Sequence, residues 1–98
     1  MNPSVSVHPL ARQEYLDGVV YYLDIDPNVA ARFIDAYELA IVEIRRNPKA
    51  APAIISRVRR KLLRKFPYSI FYYFSGGEIR ITAVSHQLRK PLYWAGRE

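Results

Sequence analysis

The chain has 98 residues, half of them apolar, with 24% charged and a formal net charge of +6. This is the composition of one globular domain, 1–98, rather than of a disordered chain. It holds no cysteine, which excludes disulfides, thiolate metal sites and cysteine nucleophiles. No apolar run approaches the roughly 18 residues that a membrane span needs. The N-terminus lacks the basic-then-apolar pattern of a signal peptide. A cytoplasmic protein without membrane association is the expectation. Charge is divided unevenly: residues 1–50 carry five Lys/Arg against seven acids, and residues 51–98 carry ten against two. Such asymmetry points to an anionic partner for the second half, a nucleic acid or an acidic protein segment.

Val5 and Val7 alternate with Ser4, Ser6 and His8, as in a short first strand. Pro9 suits the first turn of a helix, and Ala11, Tyr15, Val19 and Tyr22 follow at helical spacing, predicting a helix over 9–24 with His8 at its start. Asp26 and Pro27 have the N-cap and first-turn chemistry of a second helix. Its apolar stripe is Ala30, Phe33, Tyr37, Ala40, Ile41 and Ile44, with Arg45 and Arg46 in the last turn, where the helix dipole favours cations, and Asn47-Pro48 as the stop. So short a connection makes the two helices an antiparallel hairpin.

From Pro52 the pattern becomes that of strands. Residues 57–65 are predicted as a strand with basic side chains on both faces, and Tyr68–Phe74 as an aromatic, β-branched strand. The glycines of Ser75-Gly76-Gly77-Glu78 supply the positive φ of a two-residue hairpin loop. Residues 78–86 return, with Ile79, Ile81, Ala83 and Ser85 on one face and Arg80, Thr82, Val84 and His86 on the other, half-exposed one. Residues 87–98 are expected as a loop or short helix. The predicted fold is α+β, ordered β-α-α-β-β-β, with a helical hairpin on one face of a small antiparallel sheet.

Two constellations carry chemistry. Arg57, Arg59, Arg60, Lys61, Arg64 and Lys65 form a basic partner-binding surface, and Tyr68 and Tyr72 beside them are suited to stacking on single-stranded bases. The plainer alternative is that these cations guard a sheet edge against strand pairing. The second set is His86, Arg89, Tyr93 and Trp94, where a histidine beside an arginine and a tyrosine has the makings of acid–base work on a phosphodiester. Against that stands an anchoring role for His86 and a packing role for Trp94. No phosphate loop or hydrolase motif is present, and the acids are spaced like solvated helix faces, so neither a metal nor a cofactor is expected.

Asn47-Pro48, the run from Leu63 to Tyr72, and the run from Ala83 to Trp94, in that order on a small basic chain, resemble the RelE/ParE superfamily of bacterial toxin–antitoxin modules. The resemblance runs nearly end to end. It implies the fold derived above, a growth-inhibiting toxin of a plasmid-stabilisation kind, and a cognate antitoxin whose extended segment wraps it. Ribosome-dependent ribonucleases of the superfamily place an arginine straight after the tyrosine that is Tyr68 here. This chain has Ser69. The run Ala83-Val84-Ser85-His86-Gln87 looks like the strand end of ParE-type members, which poison DNA gyrase. The resemblance thus implies a non-enzymatic gyrase inhibitor with Arg89, Tyr93 and Trp94 as target contacts. Its alternatives are a ribosome-dependent mRNA endonuclease using Arg64, His86, Arg89 and Tyr93, or an inactive toxin-fold module that binds protein.

Overall fold

The computed structural model describes residues 2–98. Strand β1 (Ser4–Val7) leads into α1 (Pro9–Ile25) and α2 (Pro27–Arg46); β2 (Ala53–Ile55), β3 (Val58–Leu62), β4 (Tyr68–Ser75) and β5 (Glu78–His86) follow. Local chemistry sets the helix ends. His8 Nδ1 accepts the Leu10 amide at 3.0 Å, and Asp26 Oδ1 accepts the Asn28 amide at 2.8 Å. Each caps a helix whose first residue is a proline, so the orphan donors of the first turn are fewer and partly satisfied. Asn47 caps the end of α2, with Arg45 and Arg46 in its last turn.

The strand order is β1-β5-β4-β3-β2. Three pairings are antiparallel, but β1 runs parallel to β5, with Val5 opposite Ile79. The sheet is therefore mixed rather than antiparallel, because the helical hairpin acts as the crossover that parallel neighbours require. β2 is an added edge strand. The basic strand is shorter than the predicted 57–65: Lys65 takes a φ of 66° in the turn, and the Leu63 amide donates back to the Tyr68 carbonyl at 3.0 Å. The β4–β5 loop is as expected, with φ of 59° at Gly76 and 75° at Gly77.

One irregularity reorders the faces of β5. Tyr72 pairs with Ile81 but Phe71 pairs with Ala83, so Thr82 is an extra residue in the ladder. Beyond it the alternation inverts. Ile79, Ile81 and Val84 share the core with α1 and α2, whereas Ala83 turns to the opposite face. The half-exposed face expected for Thr82 and Val84 does not exist, since they are 0% and 2% exposed.

The sheet is covered on both sides. Phe33, Ile44, Ile70, Tyr72 and Ile79 form the main core under the helices. On the other face the 87–98 segment, a succession of turns, lays Trp94 on Phe71 with ring centroids 4.3 Å apart and builds a second small core with Ala83.

Candidate functional site

Alternation along β3 divides its cations. Arg59 and Lys61 lie opposite Tyr72 and Ile70 and so face the helices; Arg60 lies opposite Phe71, on the tail-covered face. Arg59 Nη1 donates to the Lys49 and Ala51 carbonyls at 3.0 and 2.7 Å, pinning the connection after α2. Lys61 and Arg64 both reach Glu43 on α2, at 3.2 and 2.7 Å. The hydrogen bond from Lys61 is the main reason the Glu43 carboxyl titrates below its ordinary range, with the charges of Lys61 and Arg64 adding to it. Arg57 stacks over Tyr73 at 3.9 Å. Of the six expected surface cations, Arg60 and Lys65 alone have no such contact among the described residues, and both are exposed. Tyr72 is not available for stacking on a base: it is buried, and its hydroxyl donates to the Pro48 carbonyl at 2.7 Å. Tyr68 packs edge-on against Phe33 and His86.

His86, Arg89 and Tyr93 do come together after β5. The Arg89 guanidinium lies 4.0 Å from the Tyr93 ring centroid, and His86 shares two cavity walls with Arg89. His86 Nδ1 accepts the Leu88 amide at 3.0 Å, which leaves the proton of the neutral ring on Nε2. Arg64 is not part of this group, being tied to Glu43. Trp94, expected as a target contact, is 3% exposed and serves the second core.

The sequence reading missed Glu14, which organises this end of the molecule. β1 pairs with β5 only as far as Ile81, so the edge of β5 beyond it lacks a neighbour strand. Glu14 Oε1 accepts the Val84 amide at 3.1 Å, and Arg97 Nη1 donates to the Thr82 carbonyl at 3.0 Å. The two side chains join at 2.9 and 3.2 Å, and the Tyr93 hydroxyl donates to Glu14 Oε2 at 2.6 Å. Burial first, and then this bond to a carboxylate, push the Tyr93 hydroxyl up, so its proton is committed to Glu14.

Between the tail and the sheet lies a cavity of about 250 Å³. Its polar lining includes Arg60, Ser69, Ser85, His86, Arg89 and Lys90. Ser69 and Ser85 are cross-strand partners, so their hydroxyls lie side by side where the sheet faces the tail. No metal-binding cluster of His, Asp or Glu is found among the described residues, and no described helix is long and apolar enough to cross a membrane.

No family model and no curated protein matches this sequence. Among solved structures, the chain is similar to one described as "Chromosomal ParDE TA system from P. aeruginosa", with a TM-score of 0.74 and 17% identity, over 86% of this chain and 95% of that one. At that identity the likeness is one of fold. The fold in question is α+β, with two helices packed on one sheet in the order β-α-α-β-β-β.

Proposed function

We propose that the protein is a ParE-like toxin of a type II toxin–antitoxin module, neutralised by a cognate antitoxin and inhibiting growth by binding DNA gyrase without catalysis of its own. The fold it shares with a chain of a ParDE system supports the toxin role. The observation that carries the mechanism is Ser69. At the middle of the tail-covered face, where an RNA-cutting relative places a cation for the scissile phosphate, the chain holds a small hydroxyl paired with Ser85. Two of the four catalytic candidates are committed elsewhere: Arg64 to Glu43, and the Tyr93 proton to Glu14. A second reading, a ribosome-dependent mRNA endonuclease, draws on Arg60, His86, Arg89 and Lys90 around the same cavity.

Induction in growing cells separates them. Gyrase poisoning is expected to give filamentation and DNA-damage signalling, and purified protein to inhibit supercoiling of relaxed plasmid. Primer extension showing cuts within coding frames of translated messages would overturn the gyrase reading for the endonuclease. No growth effect from folded protein would leave an inactive binding module.

A further inference from the structure

On the helix side of the sheet, a cavity of about 310 Å³ lies between α1 and the end of β5. The extra residue at Thr82 turns Val84 and His86 towards α1, and β1 stops pairing at Ile81, so no strand fills this space. Its volume is at the lower end of the range for small-ligand sites, about 300–1,000 Å³. Gly18 and Val84 give it a smooth wall, and Tyr21 adds an aromatic side chain that is 59% exposed. Four polar groups in the lining keep hydrogen-bonding capacity that the fold does not spend. Asp17 accepts from Gln13 through Oδ1 at 2.8 Å, and its Oδ2 has no partner among the described residues. The Tyr68 hydroxyl and His86 Nε2 make no hydrogen bond among the described residues, and the Arg89 guanidinium forms no ion pair there. Burial first, and then Tyr22, Tyr21 and Asp17 beside it, push the Tyr68 hydroxyl up, so it stays a donor. Glu14, by contrast, is spent on Arg97, Tyr93 and the Val84 amide. The unspent groups run in one order. A Cβ on Gly18, next to Asp17, would lie 3.4 Å from the Tyr68 hydroxyl; the Tyr68 ring lies 5.0 Å from that of His86; and Arg89 follows His86 in the wall. An anionic acceptor thus stands at one end and a cation at the other.

We propose that this cavity binds a guanine mononucleotide, with the base on Tyr21, its N1–H and exocyclic amine donating to Asp17, and its phosphate held by Arg89 and His86. A carboxylate accepts two neighbouring N–H donors at once, and guanine carries such a pair on its Watson–Crick edge. Adenine presents an acceptor at N1, which would face the carboxylate with like polarity. At the other end, the planar guanidinium of Arg89 matches phosphate oxygens in a two-point contact. Because Nδ1 of His86 accepts the Leu88 amide, its neutral ring offers Nε2–H as a further donor. The exposed ring of Tyr21 supplies the stacking face, which favours a flat base over an aliphatic ligand. About 310 Å³ has room for one nucleotide rather than for a strand. The inference goes beyond the toxin reading and does not depend on it.

The test titrates the full chain by calorimetry, at physiological salt, with GMP, AMP, guanosine and inorganic phosphate. GMP should bind about tenfold or more tightly than each of the other three, the usual worth of one well-formed pair of contacts to a base or a phosphate. Asp17→Asn should weaken GMP about tenfold and leave AMP unchanged, removing the preference for guanine. Arg89→Met should weaken GMP about tenfold and leave guanosine unchanged. Both positions are exposed, and thermal melts check that the variants fold. Amide shifts on adding GMP should map to Asp17, Tyr21, His86 and Arg89. Equal binding of GMP, AMP and phosphate would show only the general pull of a +6 chain on anions, and would overturn the proposal. So would shifts confined to the tail-covered face, full affinity in a folded Asp17→Asn protein, or no binding of GMP at millimolar concentration.

Discussion

Glu14 and Arg97 lie 83 positions apart and meet in a two-point ion pair, Nη1 to Oε1 at 2.9 Å and Nη2 to Oε2 at 3.2 Å. Both side chains are largely buried, and each also bonds a backbone group on the unpaired edge of β5. Removing one partner leaves the other charge buried and unmatched, which costs about 3–5 kcal/mol. Glu14→Ala should therefore lower the melting temperature by roughly 12 °C or more. Emission of Trp94 should shift to the red as the tail loosens from Phe71. Arg97→Met should do much the same, and the two together should cost clearly less than the sum.

Gly18 sits inside α1, where alanine ordinarily stabilises a helix by about 1 kcal/mol. Here a Cβ would meet Cζ of Phe33 at 2.9 Å, and that ring is fully buried. Displacing a packed ring costs about 1–3 kcal/mol, so packing outweighs propensity and Gly18→Ala should destabilise. Denaturant midpoints check this; a midpoint that rises would show that the ring moves freely.

Tyr37 stacks on Tyr15 at 4.0 Å, and burial, aided by the neighbouring Tyr15, pushes its hydroxyl from 10.0 up to about 12. The phenol is neutral while protonated, so the folded chain holds this proton more tightly than the unfolded chain. Its contribution to stability is complete below pH 10 and is lost as pH rises towards about 12, on the order of 1 kcal/mol per pH unit in that window. Burial raises Tyr15, Tyr22, Tyr68 and Tyr72 in the same direction. Tyr37→Phe should flatten the fall in melting temperature above pH 10, because it removes one of the titrating phenols.

His86 holds the Leu88 amide and packs edge-on against Tyr68, with ring centroids 5.0 Å apart. His86→Ala should cost about 1 kcal/mol through the lost hydrogen bond, and toxicity should fall only with the folded fraction. A general acid or base would instead lose about 10²–10⁴-fold in activity with folding unchanged. Arg89→Glu, which alters exposed surface, is expected to reduce toxicity more than His86→Ala. Trp94→Ala should cost about 3–5 kcal/mol, as a core deletion rather than a lost contact. Growth assays beside thermal melts distinguish these outcomes.

Much of the local structure is written in the sequence, because short-range chemistry decides it. His8-Pro9, Asp26-Pro27 and Asn47-Pro48 mark helix ends by capping and by the missing proline N–H; Gly76 and Gly77 mark a hairpin by their freedom at positive φ; and the heavy basic charge of residues 51–98 is a matter of counting. Tertiary structure alone decided the rest. The parallel seat of β1 depends on where two helices deliver the chain. The extra residue at Thr82 exchanges the faces of β5 without leaving a trace in its apolar alternation. The basic stretch, uniform in sequence, divides into cations bound to Glu43 and to carbonyls, and Arg60, which forms no ion pair among the described residues. Glu14 reads as one more solvated acid on a helix until the edge of β5 and Arg97 close around it, since a buried ion pair between residues so distant in sequence has no local signal.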